Sequence, residues 1–477
     1  MDTAFEQLPE LTRRHVERVR DYYESPVSDQ RVGSRALRKL LARYYKQMIP
    51  EGVSVLEIGC GDGSLLAELP DRERTGVDLS PRNLEMAKEA IPDAEFFEQT
   101  GEALDLDGKF DYIILSETVN EAADVQMLLE KAAEVSHPGT RLILNFYSAL
   151  WKPLLGLATL LKLRRPALLS NWLTLEDIKN LYELSGWQPL EAHRRILIPF
   201  QIPVISALVN RFLAPLVPWL CLTCYSTARP RPPLKKEEEY SVSVVVPARN
   251  ESGNVDAILS RTPELGKGTE IILIEGNSTD DTWEKIQEAA AGDHGRNLKI
   301  MQQTGKGKGN AVREAFAASS GDILMILDAD LTVPPEELPK FYEVVASRHG
   351  EFANGVRLVY PMESEAMRFA NLCANKAFGL IFSWLLGQPV KDTLCGTKVL
   401  FRSDYEKVAA NRKFFGDFDP FGDFDLLFGA DKLNLKIVDV PIRYRDRTYG
   451  TTNIQRWRSG VILLRMVVFA ARKLRFT

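Results

Sequence analysis

Along most of the chain, short apolar runs alternate with stretches whose apolar positions recur every three or four residues, the pattern of strands separated by helices. VSVLEIG (53–59), FDYIILS (110–116), SVSVVVP (241–247), EIILIE (270–275) and ILMIL (323–327) are apolar at consecutive rather than alternate positions. That predicts strands covered on both faces, hence parallel sheets between helices. The runs end in acidic or small polar residues, among them Glu57, Asp78, Glu275, Asp328 and Asp330. In open sheets, ligands bind beyond those ends. In MILDADLTVPPEELPKF (325–341), extended chain would put Asp328 and Asp330 on one side. Two carboxylates there repel unless a cation lies between them. Pro334 and Pro335, followed by Glu336 and Glu337, predict a helix start directly after the acids.

The alternation is interrupted once, at STARPRPPLKKEEEYSVSVVVP, where prolines flank a basic-then-acidic run without periodicity. This predicts a first domain over 1–229, a linker over 230–239 and a second domain over 240–477. A length of 477 residues is too great for one ordinary domain. Hydrophobic residues at 45% and charged ones at 26% belong to a globular protein. A net charge of −5 argues against a nucleic-acid partner. Five unpatterned cysteines point to a reduced, intracellular home; Cys221 and Cys224 form a CxxC, but in an apolar context that reads as core. The N-terminus has no apolar signal region. The most apolar stretch, 196–225, is broken by Asn210, Arg211 and four prolines into pieces short of the ~20 residues that cross a bilayer.

In VSVLEIGCGDGSLL (53–66), a strand ending at Glu57 runs into Gly59, Gly61 and Gly63, read as the turn into a helix. Glycines there admit a ligand close to the backbone, and a helix N-terminus favours an anionic group. The spacing is GxGxG rather than the GxGxxG of dinucleotide dehydrogenases. RTGVDLSP follows and ends its strand in Asp78, placed to accept two ribose hydroxyls. Residues 35–229 resemble class I S-adenosylmethionine-dependent methyltransferases, on LEIGCGDG, GVDLS and TGEALDLDGKFDYIILSETVNEAADV. The resemblance implies a Rossmann-like fold in which Glu57, Gly59, Gly61 and Gly63 line the cofactor, Asp78 holds its ribose, and Glu102 with Ala103 lies near adenine. FDYIILSETVNE sets Ser116, Glu117 and Asn120 at a strand end. Methyl transfer mainly needs alignment, so no catalytic base is named. The apolar stretches 150–165 and 196–218 read either as the cover of a greasy acceptor or as core and lid.

The second half repeats the strand-to-helix form at SVSVVVPARNESGNV (241–255) and EIILIEGNSTDDTWEKI (270–286), then runs through GKGKGNAVREAF and GDILMILDAD. Residues 240–477 resemble family 2 glycosyltransferases of the GT-A fold, most closely their dolichyl-phosphate mannose or glucose synthase branch. The overall expectation is therefore an α/β chain of two doubly wound domains. VVVPARNES carries Pro247, Asn250 and Glu251, and EGNSTDDT carries Glu275, all implied to bind the nucleotide sugar. DAD is implied to hold Mg²⁺ or Mn²⁺ on the diphosphate, since such ions take hard oxygen ligands. Gly276 stands where the family has a second aspartate, which leaves a UDP or a GDP hexose open. RDRTYGTTNI matches the branch's RxxGxSK at Arg447 and Gly450, with Asn453 in place of lysine, and makes Arg447 a phosphate-clamp candidate. FGDFDLLFGADK sets Asp425 at the acidic position facing the acceptor.

If the acceptor is a hydroxyl of a glycan, Asp425 must act as general base; a polyprenyl phosphate needs only positioning. After Asp446 there are seven basic residues and no acid, with Arg458, Arg465 and Arg472 seven apart beside Trp457, Val461, Leu464 and Val468. This reads as a helix on an anionic membrane surface, or as a basic helix packed on its own domain. NKAFGLIFSWLLGQPVKD (375–392) is a second apolar candidate for that surface. The expectation is a bifunctional enzyme, peripheral on the cytoplasmic face of the cell membrane. It would join AdoMet-dependent methyl transfer to inverting, metal-dependent transfer of a hexose, preferably to polyprenyl phosphate. The alternatives are a transferase acting on a surface polysaccharide, and a first half that only binds AdoMet.

Overall fold

The computed structural model describes residues 3–25, 32–161, 171–199, 202, 204–232, 240–292, 295–357, 369–412, 422–445, 447, 449 and 464–476. Most of the expected linker (233–239), together with Asp446, Gly450, Asn453, Trp457, Arg458 and Val461, lies outside the described residues. The chain divides into two compact units, with the division between Pro232 and Pro233.

The first unit is built on seven strands: β1 (Ser54–Ile58), β2 (Glu73–Asp78), β3 (Glu95–Glu98), β4 (Phe110–Ser116), β5 (Ser136–Tyr147), β6 (Trp187–Arg195) and β7 (Thr223–Pro230). Their order across the sheet is β3-β2-β1-β4-β5-β7-β6, parallel except for β7, which runs against both neighbours. Consecutive residues of β1 feed opposite cores: Leu56 and Ile58 join Ile113, Leu144 and Trp187, whereas Val55 joins Tyr45, Ile114 and Tyr225. This is why Val55 and Leu56, on opposite faces of the strand, are both apolar.

The second unit has β8 (Ser241–Ala248), β9 (Gly268–Glu275), β10 (Asn297–Gln302), β11 (Ile323–Ile326), β12 (Phe352–Val356), β13 (Lys398–Phe401) and β14 (Ile437–Pro441). Their order is β10-β9-β8-β11-β13-β12-β14, with β13 antiparallel to its neighbours. Val244, Val245 and Val246 are all fully buried, again the mark of a doubly covered strand. Both sequence halves thus form the expected doubly wound α/β sheets, mixed rather than wholly parallel because β7 and β13 run against their neighbours.

Two local expectations change. After Gly63 there is no α-helix, only a single 3₁₀ turn at Leu66–Glu68. Leu65, Leu66 and Leu69 are drawn into the core, and Pro70 disfavours helical backbone at the residue before it. An anion-binding helix end therefore does not exist at this turn. The chain also does not stay extended through Asp328 and Asp330. Leu331 takes φ 53° and its N–H bonds the carbonyl of Asp328 at 3.1 Å, so the two acids sit on a turn. The helix expected after Pro334 begins as a 3₁₀ turn, Pro335–Glu337, and becomes α-helical at Leu338–Ala346.

Each unit carries its own sheet and buried core, so cleavage at an inserted protease site beside Pro233 is expected to yield two soluble, folded pieces. Loss of cooperative urea unfolding in either isolated piece would place a shared core between them.

Candidate functional site

In the first unit the chemistry gathers where β1, β2 and β4 end. Gly59 (φ 80°), Gly61 (φ 53°) and Gly63 (φ 72°) turn the chain back after β1. A Cβ on Gly59 would stand 2.8 Å from Thr118 Oγ1, so this position needs glycine for space as well as for conformation. At Gly61 a Cβ would meet nothing within 4 Å, which leaves the turn open on that side.

Asp78, at the end of β2, is buried. Its carboxylate accepts from Gly61 N (2.8 Å), Ser80 N (3.0 Å) and Asn83 Nδ2 (3.3 Å), tying the glycine turn to the neighbouring strand. Burial raises its carboxyl above the usual range, although these bonds oppose the shift. Glu57 is 2% exposed, and its Oε2 has no hydrogen-bond partner. Burial, with Asp62 and Asp78 nearby, pushes this carboxyl well above the usual range. A buried carboxylate with one oxygen unpartnered, among other acids, suits a cationic ligand, and S-adenosylmethionine carries a sulfonium and an ammonium. These residues fit that cofactor.

Glu102 and Ala103 are buried in a 3₁₀ turn after β3. The Glu102 carboxylate accepts from Thr100 Oγ1 (2.5 Å) and Ala123 N (2.8 Å), so its bonds serve the loop itself. Ser116 ends β4, Glu117 holds left-handed backbone (φ 63°), and Asn120 closes a 3₁₀ turn with Thr118. Sequence reasoning missed the helix Glu10–Glu24, which reaches this edge: Tyr23 donates to Glu121 (2.6 Å), and Ser80 Oγ donates to Glu24 (2.6 Å). The only available signal was its amphipathic spacing, which names no partner.

In the second unit, Pro247, Asn250, Glu251, Glu275, Asp328, Asp330 and Arg447 lie in segments at the ends of β8, β9 and β11 and in the chain after β14. Pro247 sits within β8 itself. Asn250 (φ 57°) accepts from Thr279 N at 2.8 Å, and Glu275 accepts from Ser278 N, so the β8 and β9 ends are stitched together. Gly276 N donates to Ala248 O (2.8 Å) in the same join.

The acid pair is met by two separate cations. Lys308 Nζ lies 2.6 Å from Asp328 Oδ1. Arg447 reaches Asp330 Oδ2 at 2.6 Å and Glu251 Oε1 at 2.7 Å. Burial alone would raise Asp328, but Lys308, with Arg357 and Lys398 farther off, holds its carboxyl below the usual range. Glu251 goes the other way: burial raises it despite Arg447. Gly396 packs so closely on Lys308 and Asp328 that a Cβ there would collide with both.

Lys308 was not singled out from the sequence. It stands between glycines in GKGKG, a stretch to which the sequence assigned no residue role, and the pairing with Asp328 reveals it. Asp425 lies in the helix Asp423–Lys432, buried, with Arg412 Nε 2.9 Å from its Oδ2. Gly422, which precedes that helix, would bring a Cβ to 2.6 Å from Gly309 Cα beside Lys308. Among the described residues, no three His, Cys, Asp or Glu side chains converge as a metal cage. Two hard carboxylates beside a lysine and an arginine fit a divalent cation that arrives with a diphosphate, because Mg²⁺ commonly takes one or two carboxylates plus substrate phosphates.

Comparison with known proteins agrees with this division. Residues 243–408 match the family model for glycosyl transferase family 2, and residues 29–192 match that for a methyltransferase domain. A dolichol-phosphate mannosyltransferase of Pyrococcus furiosus is 30% identical over 224 residues, 45% of this chain and 59% of that protein. An undecaprenyl-phosphate 4-deoxy-4-formamido-L-arabinose transferase of Klebsiella pneumoniae is 36% identical over 116 residues, 24% of this chain and 34% of that protein. The chain thus spans between one third and three fifths of these relatives' length. Among solved structures, a SAM-dependent methyltransferase of Thermotoga maritima aligns with 46% of this chain and 97% of its own, at 16% identity and a TM-score of 0.32.

The state of Glu57 makes a pH-dependent prediction. Its folded pKa lies above its unfolded one, so the ionised form destabilises the ligand-free fold at neutral pH and proton uptake relieves this as pH falls. Glu57→Gln is therefore expected to stabilise the ligand-free first unit by about 1–3 kcal/mol at pH 8. The gain should shrink on acidification. A gain in urea unfolding that is independent of pH would show that charge is not its cause.

Proposed function

Starting from a chain that joins a methyltransferase domain (29–192) to a family 2 glycosyl transferase domain (243–408), we propose a bifunctional transferase. Its second domain transfers a hexose from a nucleotide sugar, UDP- or GDP-linked, to a polyprenyl phosphate. The observation that carries this reading is the meeting of Asp328, Asp330, Glu251, Lys308 and Arg447 at one sheet edge.

Asp328 and Asp330 would hold Mg²⁺ or Mn²⁺, which when bound withdraws charge from the leaving diphosphate. Lys308 and Arg447, now paired with acids, can turn to phosphate oxygens, Arg447 with two parallel donors. Asn250, Glu251 and Glu275 shape the nucleotide side of the site. In the reaction the bond from sugar C1 to the diphosphate oxygen breaks, and that oxygen keeps the electron pair. A phosphate oxygen of the acceptor forms the new bond from the opposite face, inverting the anomeric centre. Such an oxygen is ionised near neutral pH and needs no base. A hydroxyl acceptor would need one, and the Asp425 carboxylate is already engaged by Arg412. This favours the phosphate over a glycan hydroxyl. The mannosyltransferase and arabinose transferase relatives act, by their names, on polyprenyl-type phosphates, which supports the same acceptor.

A polyprenyl substrate places the enzyme at a membrane, on its cytoplasmic face. No helix among the described residues is long and apolar enough to cross one. Surface attachment has physical support in the second unit. Leu464 (56%) and Val468 (52%) are exposed beside exposed Arg465 and Arg472, while Met466 and Ala470 of the same helix are buried. Arg475 lies over the ring of Trp384, whose helix exposes Leu380. Apolar side chains flanked by arginines suit an anionic leaflet.

In the first unit, S-adenosylmethionine would supply the methyl group. Glu57 would meet its positive charge, Asp78 its ribose, the Gly59–Gly63 turn its methionine end, and the Glu102–Ala103 turn its adenine. The chain's own contribution is orientation.

Incubation with radiolabelled UDP- or GDP-hexoses and polyprenyl phosphate, followed by organic extraction, tests the reading: label should enter the lipid phase. Asp328→Asn and Asp330→Asn should each lower that transfer by ~10²-fold or more, the scale of losing transition-state charge stabilisation. Calorimetric affinity for AdoMet should not change in either variant. Transfer that survives both substitutions would remove the metal site. Label found in water-soluble glycan and absent from lipid would establish the hydroxyl-acceptor alternative instead.

A further inference from the structure

Two apolar excursions leave the first unit's sheet at the edge that carries the glycine turn. The helix Lys152–Leu160 follows directly on β5 and has no buried residue. The chain from 196 to 222 joins β6 to β7, and the register Tyr147–Thr223–Arg195 puts its two ends beside the end of β5. The excursions are tied to each other: Ser148 N donates to Leu222 O (2.7 Å) and Trp151 Nε1 to Leu220 O (2.8 Å). They are also tied to the cofactor edge. Asn171 donates to Val119 O (3.1 Å) and Ala122 O (2.8 Å), gripping the turn whose Thr118 hydroxyl donates to Ile58 O (2.8 Å) beside Gly59.

A helix that is apolar and buries nothing needs a covering from outside its own fold. Leu154 (55%), Leu157 (51%) and Leu160 (78%) are exposed on one excursion; Leu208 (51%), Phe212 (48%) and Trp219 (56%) are exposed on the other. Charge identifies the covering. Residues 148–175 and 196–222 contain no Asp or Glu, and among their described residues Lys152 and Arg211 are basic. Since 65 of 477 residues are acidic, a stretch of this combined length would ordinarily hold about seven. Apolar side chains with basic residues, an exposed tryptophan and no acids suit an anionic phospholipid surface.

We propose that these two excursions form a lipid-docking face of the methyltransferase unit, which brings the mouth of its cofactor site to phospholipid headgroups. This goes beyond the membrane attachment proposed above, which uses the second unit alone. The geometry leaves the methyl acceptor to approach from the lipid surface.

The test uses the full chain and vesicles of phosphatidylglycerol and phosphatidylcholine. In 0.5 M salt, where charge attraction is screened, Leu154→Glu/Leu157→Glu/Leu208→Glu is expected to lower vesicle co-sedimentation about tenfold or more. Because these side chains are exposed, its calorimetric affinity for AdoMet should stay within about twofold of wild type. Arg458→Gln/Arg465→Gln/Arg472→Gln, which tests the second unit's attachment, should lose binding chiefly at low salt. Vesicles should also shift tryptophan emission to the blue in wild type, and less so in Trp219→Phe. Wild-type binding by the leucine variant, together with an unchanged emission shift in Trp219→Phe, would overturn the proposal while leaving the second unit's reading intact. Unchanged vesicle binding with conversion of a dimer to a monomer in sedimentation velocity would overturn it in favour of a contact between two copies of the chain.

Discussion

Two carboxylates one residue apart at the mouth of a buried strand must be neutralised, and the second unit is arranged around how this is done. Asp328 takes Lys308 and Asp330 takes Arg447, which also reaches Glu251. These five residues come from four segments, so the charge constraint holds together the end of β8, the glycine-rich stretch at 308, the turn after β11 and the chain after β14. Removing one member of such a half-buried pair leaves an uncompensated charge, worth about 3–5 kcal/mol when burial is complete and less here because Asp328 remains a quarter exposed. Asp330 is further fixed by Thr332, whose N–H and hydroxyl both donate to it at 3.1 and 2.8 Å. The arrangement is therefore a set of acids and bases held ready, in which an incoming cation can replace the bases and an incoming anion can occupy them.

The first unit resolves the same kind of constraint in the opposite way. Its acids at the strand ends, Glu57, Asp62 and Asp78, lie close enough for Asp62 and Asp78 to raise Glu57 further. Arg38 answers Asp62, at 2.8 Å, and Glu57 keeps a buried oxygen without a donor. A fold tolerates an unmet buried carboxylate where a ligand will meet it. The two sheet edges thus have complementary electrostatic needs: one wants positive charge, and the other offers both signs to a metal and a diphosphate. That contrast supports two different chemistries more directly than the similarity of the two sheets does.

Much of this was legible in the sequence, because consecutive apolar residues and acidic strand ends are local signals. β9 ends at Glu275 as read, and Asp78 closes β2. What could not be read was set by distant parts of the chain. Period-two reasoning placed Asp328 and Asp330 on one side of a strand, but the strand stops at Ile326 and a left-handed Leu331 folds the acids into a turn. Lys308 became part of the site through a partner 20 residues away, and Arg447, read as a phosphate clamp, is in this state a clamp on two carboxylates. In place of the helix expected after Gly63, a 3₁₀ turn before Pro70 lets Leu65, Leu66 and Leu69 reach the core. Cys221 and Cys224, read as core, are buried free thiols whose pKa values burial pushes up to about 11.

The apolar excursions show where periodicity has no power to decide. A run such as WKPLLGLATLL has the same pattern whether it is core, lid or outward face, and only the fold shows that its helix buries nothing. Fully covering a leucine side chain contributes about 1.5–3 kcal/mol, so even partial insertion of the half-exposed leucines named above adds several kcal/mol. Each nearby basic residue adds about 1 kcal/mol at an anionic surface. The apolar share survives high salt, whereas the charged share fades as the Debye length shortens to a few ångströms. An attachment of this kind would be retained where purely electrostatic binding is lost. Because both excursions spring from the edge that ends in Gly59 and Tyr147, the contact would also fix which side of the cofactor site faces the lipid.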